Sequence, residues 1–448
     1  MMPLQMVKLS SLSGLQLFQL LRYGALLLLG IGFAQLGMPP EVIATFETFM
    51  LFSGLLSFFW VSGLINTLMS LHHKAGEEDQ SILLFQFFIA LSGFGLVAAL
   101  LFGALGSFLP SLMQVVRIGS FSVAQSAWLI GGYVALTAPI FLTEYVLYIQ
   151  KLNKALVVYA IFSSSLTLIL VALAAYSSGA DGNLFSSLFI KALFAVAALK
   201  YVILSGILGK YAQFRLERKT LVRILGLAIP VILSILLSGS SEYIDGIIIK
   251  WKLTDFDFSI YRFGAKELPI LLIMANTFSV AMVSVIASNV QEGITEIRHR
   301  STRLMHVFFP LTILLMLVSL PLYKLVFTDV FADSAFIFNI YLLLIIPRLL
   351  FPQTILTGML QTKYLFYSSA IEITVNVVLS LVLLHFIGLP GIALGTFMAA
   401  CIDKCFLMYI AANKFAISPD TYVNFNWYTI YAVLTVLAFM IAHWVYFI

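Results

Sequence analysis

The chain has few charged residues, which make up 10% of its 448 positions, whereas a soluble globular protein has about 25%. Hydrophobic residues make up 61%. A helix crosses the hydrocarbon core of a membrane with roughly 20 apolar residues, and runs of that length recur along the sequence. The scarcity of charge therefore excludes a soluble globular protein and predicts an all-α polytopic membrane protein.

Cysteine and the common catalytic motifs are also scarce. The two cysteines, Cys401 and Cys405, lie one helical turn apart in an apolar run, which indicates packing residues rather than a disulfide or a metal site. The sequence contains no HExxH motif, no CxxC pair and no Walker loop, so it does not predict a metal enzyme or an ATP-driven pump. We expect no enzyme activity and no cofactor other than a coupling H⁺ or Na⁺.

Long polar segments are missing as well, since the longest loops have about a dozen residues. This excludes a soluble domain and the large outer loop of a polysaccharide polymerase. The net charge of +5 is explained by basic residues on the inner side of a membrane, so no nucleic-acid partner is expected.

The apolar runs predict thirteen transmembrane spans. Prolines inside these runs predict kinks or local unwinding of the helices. The spans are placed near 12–37, 42–69, 82–108, 122–148, 157–177, 186–209, 223–249, 258–289, 304–326, 335–358, 365–387, 391–412 and 427–447. The prolines are Pro139, Pro230, Pro269, Pro347 and Pro352.

The distribution of Lys and Arg predicts a cytoplasmic N-terminus, because the outward-facing segments then hold only Arg117, Lys250, Lys252 and Lys324. The most basic loop, 210–222, separates two groups of six spans. We therefore predict an N-terminal six-helix lobe over 1–209 and a C-terminal one over 223–412, with 210–222 as a cytoplasmic linker. Residues 413–448 are predicted to form a cytoplasmic loop and one extra helix.

Nine charged residues are concentrated in residues 242–269, between two very apolar spans. Helical spacing puts Glu242 and Asp245 on one polar face of span seven. On span eight, the same spacing aligns Arg262, Lys266, Pro269 and Asn276, with Glu267 about 100° away. Two interpretations stay open: these stripes bind a substrate or coupling ion, or they form a salt bridge between Asp245 and Arg262 or Lys266.

Other ionisable residues also fall within predicted spans, where each costs at least about 2.5 to 3.5 kcal/mol and so usually faces a cavity or a partner. Arg22 either faces an interior or extends to the cytoplasmic headgroups. A carboxylate at such depth can carry a proton or Na⁺, and Glu372 and Asp403 are candidates unless a neighbouring cation pairs with them. The candidates for a site among these residues are Arg22, Glu144, Arg348, Glu372 and Asp403.

The segments EYIDGIIIKWKL and FSIYRFGAKELPILL, together with the plan of twelve or more spans, resemble the polysaccharide-transporter branch of the multidrug/oligosaccharidyl-lipid/polysaccharide exporter superfamily. That branch includes the Wzx-like oligosaccharide flippases. The resemblance implies a MATE-like fold, with two six-helix lobes around a central cavity and 12 to 14 helices. It also implies alternating access and a location in a bacterial inner membrane.

The resemblance further implies a cationic cavity that holds the pyrophosphate of an undecaprenyl-linked oligosaccharide. Two phosphate charges in a cavity of low dielectric need compensating cations, so Arg262, Lys266, Arg22 and Arg348, with Asn276, are the candidate substrate-binding residues. The candidates for ion coupling or charge pairing are Asp245, Glu242, Glu267, Glu144, Glu372 and Asp403. Membrane lipids and glycan-assembly enzymes are the expected partners.

Three other functions stay open at this point. The same fold suits a cation-coupled multidrug exporter, in which carboxylates such as Asp245 would govern transport, and it suits a lipid II flippase. A scaffold for glycan assembly that transports nothing would use the charged stripes only to join helices.

Overall fold

A computed structural model describes residues 11–72, 77–265 and 269–447. Helices dominate these residues, and no strand occurs in this part of the chain. Among the described residues, eleven helices are long and apolar enough to cross a membrane, or twelve if the bent pair Ser334–Arg348 and Pro352–Gly358 is one span. The chain is a multi-pass membrane protein, and the predicted all-α fold class is confirmed.

The chain divides between Gly239 and Ser240 into two compact units. Unit 1 contains α1 Ser11–Gln35, α2 Pro40–His72, α3 Glu77–Phe108, α4 Val123–Thr137, α5 Leu142–Ile149, α6 Asn153–Ser178, α7 Gly182–Tyr211 and α8 Arg218–Gly239. Within it, α2 packs against α8, α3 against α4, and α6 against both α1 and α7. The predicted lobes divided at 210–222 stay a prediction.

Unit 2 contains the remaining helices, of which α12 and α19 pack together, as do α16 and α17. They are α9 Ser241–Lys252, α10 Asp255–Gly264, α11 Pro269–Ser288, α12 Val290–Phe327, α13 Ser334–Leu342, α14 Ile345–Arg348, α15 Pro352–Gly358, α16 Thr362–Ile387, α17 Leu389–Phe415, α18 Pro419–Tyr422 and α19 Phe425–Phe447.

Several helix breaks coincide with the prolines inside the predicted spans. Pro139 separates α4 from α5, and Pro347 and Pro352 lie where the predicted span 335–358 is broken into three short helices. Proline lacks the N–H that a helix interior needs and its ring clashes with the preceding turn. Pro230, in contrast, lies inside α8, which continues through it. The predicted count of thirteen spans is roughly consistent with those eleven or twelve helices, because span ten is the bent pair and residues 266–268 of span eight lie outside the described residues.

Close helix packing in unit 2 depends on glycine. Gly391 and Gly395 form a GxxxG pair on α17, and a Cβ atom at Gly395 would lie 2.6 to 2.9 Å from Ser380 atoms of α16. Small residues at this spacing let two membrane helices approach closely. The connection between them is a single turn at Gly388, whose φ of 68° lies in the left-handed region that favours glycine. The hairpin of α16 and α17 is therefore tightly packed.

Candidate functional site

A buried carboxylate in unit 2 forms the centre of the best-defined polar site. Asp245 on α9 is only 4% exposed. Its Oδ2 atom accepts hydrogen bonds from the hydroxyls of Tyr261 at 2.6 Å, Tyr341 at 3.0 Å and Thr396 at 2.5 Å. These donors come from α10, α13 and α17, so the fold brings four helices to one oxygen atom.

A second layer supports this arrangement. Asn376 on α16 is 1% exposed, and its Nδ2 donates to Thr396 Oγ1 at 3.0 Å. The hydroxyls of Tyr261 and Tyr341 are 2.8 Å apart. Because a tyrosine or threonine hydroxyl is neutral, these groups stabilise the carboxylate without cancelling its charge.

Three buried oxygen atoms at this site lack a hydrogen-bond partner among the described residues. They are Oδ1 of Asp245, Oδ1 of Asn376 and Oγ of Ser241, and Ser241 precedes Asp245 by one turn of α9. Leaving a buried polar atom unsatisfied costs about 1 to 3 kcal/mol. One carboxylate with neutral oxygen atoms suits a hard monovalent cation or a proton. The described residues contain no cluster of three or more His, Cys, Asp and Glu that could hold a metal ion.

A second charged cluster lies in unit 1. Arg22 on α1 is exposed, and its guanidinium lies 5.8 Å from the centre of the Tyr23 ring and 6.0 Å from that of Phe141. Glu144 on α5 is 7% exposed and interacts electrostatically with both Arg22 and Lys200 of α7. Phe141 and Glu144 both lie just after the helix break at Pro139. The structure therefore brings two of the predicted site residues, Arg22 and Glu144, together with Lys200.

A third cluster lies on α16 and α17 of unit 2. Asp403 is 6% exposed; it accepts a hydrogen bond from the Ser368 hydroxyl and one from Lys404 Nζ at 2.8 Å. Glu372 interacts electrostatically with Asp403, Lys404 and Arg348. The structure therefore brings three of the predicted residues, Arg348, Glu372 and Asp403, into one network.

The predicted stripe on span eight is only partly described. Arg262 on α10 is half-buried and Asn276 on α11 is exposed, whereas Lys266 and Glu267 lie outside the described residues, and only the backbone of Glu242 is described. The hydrogen bonds to Asp245 on the described residues come from three hydroxyls and the side-chain amide of Asn376, not from Arg262. The role of this stripe in binding stays a prediction.

The hydroxyl donors are not among the residues predicted from the sequence, although Tyr261 lies inside the segment FSIYRFGAKELPILL. Glu47, a carboxylate of α2 that is 7% exposed, is not among them either. The signal for Glu47 was available, because the residue interrupts the apolar run IATFETFML. A search for charged side chains alone cannot find Tyr341 and Thr396, which are neutral and distant in sequence.

No family model matches the chain, and no curated protein matches its sequence. Solved structures do match. One is the lipid II flippase MurJ in an inward closed conformation, at 15% identity and a TM-score of 0.67, covering 96% of this chain and 98% of that one. The chain therefore has the same fold as this transporter. An inward-facing multidrug resistance MATE transporter of the MOP superfamily matches at 12% identity and a TM-score of 0.62, covering 88% and 94% of the two chains.

A third match is a MOP-superfamily transporter from Pyrococcus furiosus, whose binding pocket is described as having reverse polarity. It is 14% identical, with a TM-score of 0.58, and covers 90% of this chain and 95% of that one. At these identities the comparisons show the fold and leave the substrate of this chain open. The resemblance to the multidrug/oligosaccharidyl-lipid/polysaccharide exporters is confirmed for the fold, and its Wzx-like branch stays a prediction.

Proposed function

We propose that the chain is a flippase that moves an undecaprenyl-pyrophosphate-linked oligosaccharide across a bacterial inner membrane by alternating access. A monovalent cation bound at Asp245 couples the movement to an ion gradient. The fold supports the transporter class, because flippases and exporters are its solved neighbours. The choice of an anionic lipid-linked substrate depends on the charges of unit 1.

The observation that carries the proposal is the position of Arg22. It lies eight residues inside the apolar span Gly14–Gln35, which is about 12 Å along a helix axis. It is nevertheless exposed on the surface of unit 1. A guanidinium at membrane depth avoids acyl chains and faces water or an anion, so this surface of unit 1 suits an anionic headgroup.

The neighbours of Arg22 strengthen this interpretation. Its guanidinium lies over the ring of Phe141 at the break between α4 and α5, so it is held at that level rather than at the end of its helix. Lys200 adds a second positive charge, and Glu144 subtracts one. The net charge of the three groups is positive, and a planar guanidinium binds phosphate oxygens in a bidentate manner.

The Asp245 site supports cation coupling. A transporter uses an ion gradient only if ion binding changes the stability of one of its states, and a buried carboxylate oxygen without a donor provides that dependence. Tyr341, one of the donors, lies in the broken span formed by α13, α14 and α15, and discontinuous helices are where transporters bind coupling ions.

A cation-coupled multidrug exporter is the second candidate. It is favoured by the same carboxylate, because neutral hydroxyls leave the negative charge of Asp245 available to an organic cation. The two candidates differ in the substrate charge that they require. A flippase for a pyrophosphate lipid needs Arg22, whereas an exporter of cationic drugs would work better without it.

Transport by the purified protein in liposomes tests the proposal. The variant Arg22→Ala should slow flipping of a fluorescent undecaprenyl-pyrophosphate saccharide at least tenfold, and Arg22→Lys should retain part of the rate. Lys191→Ala is the matched control, because Lys191 is an exposed lysine nine residues from Lys200 and so on the opposite face of α7. Flipping at the normal rate by Arg22→Ala, or ethidium transport that this variant accelerates, would contradict the flippase.

A further inference from the structure

A surface that is both basic and apolar lies where α7 is joined to α8 in unit 1. The joining residues, 212–217, are not helical, and they connect two membrane spans, Gly182–Tyr211 and Arg218–Gly239. Because both ends of this short connection are span ends, its residues lie at the level of the lipid headgroups. We refer to the exposed side chains of residues 210–223 as the basic linker surface.

The backbone of the linker is docked on α3. The N–H of Gln213 donates to the carbonyl of Ser81 at 3.1 Å, and Nε2 of Gln86 donates to the carbonyl of Arg215 at 2.7 Å. Gln86 is completely buried. A segment whose backbone is already held loses less conformational freedom when a ligand binds to its side chains. The linker is therefore a preorganised surface rather than a loose connection.

The charges of the basic linker surface are largely uncompensated. Five basic residues and one acidic residue lie in 210–223, which leaves a net charge of +4. The acidic residue is paired within the linker, because the Arg215 Nε atom lies 3.1 Å from its carboxylate. The other four basic residues are exposed, and none of them forms an ion pair with a described residue. They are Lys210, Arg218, Lys219 and Arg223.

Two of these cations are spaced to hold one phosphate group. Lys219 and Arg223 are four residues apart on α8, so their side chains are neighbours on one face of the helix. A guanidinium binds phosphate oxygens in a bidentate manner, and an ammonium adds a compact positive charge. The ligand class that this pair suits is an anion with several oxygen atoms.

Large apolar side chains lie among the exposed cations. Phe214 is 65% exposed, Leu216 is 63% exposed and Val222 is 61% exposed. The Phe214 ring also packs edge-on against Phe85, with ring centres 5.1 Å apart. A basic surface that carries apolar side chains at headgroup level suits the boundary between headgroups and acyl chains. A soluble polyanion or an acidic protein loop would leave these apolar side chains in water.

We propose that the basic linker surface binds an anionic phospholipid, whose phosphate lies between Lys219 and Arg223 and whose acyl chains contact Leu216 and Val222. Clusters of four or more basic residues directly beside a span are typical of anionic-lipid binding. None of these residues belongs to the Arg22 cluster or to the Asp245 site, so the inference does not depend on the transported substrate.

The lipid-linked substrate is also an anionic lipid, but its proposed contact differs in depth. Arg22 lies eight residues inside the span Gly14–Gln35, about 12 Å along the helix axis. The basic linker surface lies at the ends of its spans, where bilayer phospholipids have their headgroups. The observations therefore favour a resident phospholipid over the substrate.

Lipid titration of the purified full-length chain tests the proposal, with bound lipids counted by native mass spectrometry. Dioleoyl phosphatidylglycerol should bind at least tenfold more tightly than dioleoyl phosphatidylcholine. Lys219→Gln combined with Arg223→Gln should weaken phosphatidylglycerol binding at least fivefold and leave phosphatidylcholine binding unchanged. The matched control is Arg298→Gln combined with Arg303→Gln, which removes two exposed charges from α12 and should change either affinity less than twofold.

Three results would overturn the inference. They are equal affinities of the native chain for the two lipids, an equal loss in the linker and control pairs, and tighter binding of undecaprenyl phosphate through Lys219 and Arg223. The last result would assign the surface to the lipid carrier of the substrate. Failure of the proposed flippase appears separately, in the transport rate of Arg22→Ala.

A second pair of variants separates a lipid from other anionic partners. Leu216→Ser combined with Val222→Ser keeps every charge and should weaken phosphatidylglycerol binding at least threefold, because contacts with the acyl chains are lost. The unfolding temperature without added lipid should not change, since both side chains are exposed. Unchanged binding would show that charge alone acts, as for an acidic protein partner. A lowered unfolding temperature would show that these side chains pack within the protein, and either result contradicts the proposal.

Discussion

The variant Asp245→Asn tests the cation site most directly, because it removes one charge and keeps the shape of the side chain. In the native protein, a cation that binds only the folded state stabilises it by RT ln(1 + [Na⁺]/Kd), which is about 2.7 kcal/mol at a Na⁺ concentration of 100 Kd. The amide of the variant still accepts hydrogen bonds from Tyr261, Tyr341 and Thr396. We therefore expect the Na⁺-dependent stabilisation to disappear while the fold is kept.

The structure also predicts the behaviour of this variant without Na⁺. The native carboxylate then keeps an unsatisfied buried oxygen atom, Oδ1 of Asp245, which costs about 1 to 3 kcal/mol and more for a charged group. The neutral variant avoids the burial of an uncompensated charge. In choline chloride, Asp245→Asn should thus be at least as stable as the native protein, and in NaCl it should be less stable.

The assay is thermal unfolding in detergent, followed by tryptophan fluorescence, with Na⁺ replaced by choline at constant ionic strength. Asp255→Asn is the control, since Asp255 is exposed, forms an ion pair with Lys250 at 2.5 Å and is not among the residues that contact Asp245. This control should keep the full Na⁺ effect. An equal loss of stability of Asp245→Asn in both salts would refute the reasoning and show a purely structural carboxylate.

Two further variants test the packing and the hydroxyl cluster. In the same thermal unfolding measurement, Gly395→Ala should destabilise the protein by about 1 to 3 kcal/mol, because its Cβ would lie 2.6 to 2.9 Å from Ser380 atoms. The control is Gly226→Ala, which should be neutral or stabilising because no atom lies within 4 Å of the added Cβ. Tyr341→Phe removes one donor to Oδ2 of Asp245 and should lower stability in choline by about 1.5 to 3 kcal/mol. Its Na⁺ effect should persist, and a complete loss of that effect would show that the tyrosine is a cation ligand.

The fold class could be predicted from the sequence because membrane spans are a property of local composition. Spans such as 42–69 and 82–108 correspond to α2 and α3, whose apolar runs are uninterrupted. The span predicted at 335–358 failed as a single helix because Pro347 and Pro352 each remove a backbone donor and force a break. Local rules locate such prolines, but whether a helix ends there or continues, as α8 does through Pro230, depends on the packing around it.

The candidate site was only partly predictable. Helical spacing predicts a polar face that contains Asp245 and another, on α16, that contains Glu372 and Asn376. These charged and amide residues stand out from the apolar runs around them. The donors to Asp245 could not be predicted in the same way. Tyr341 and Thr396 are 96 and 151 residues from Asp245 in the chain, and a hydroxyl among apolar residues carries no local signal of its partner.

The two buried aspartates of unit 2 differ in whether a neighbouring cation already compensates their charge. Asp403 has an ammonium group at 2.8 Å from Lys404, so its charge is already compensated and a solution cation gains little there. The described donors to Asp245 are neutral hydroxyls and the neutral amide of Asn376. They leave the full negative charge in a region of low dielectric, where an added cation is attracted most strongly. Of the two aspartates, Asp245 is therefore the one at which we expect a cation from solution to bind.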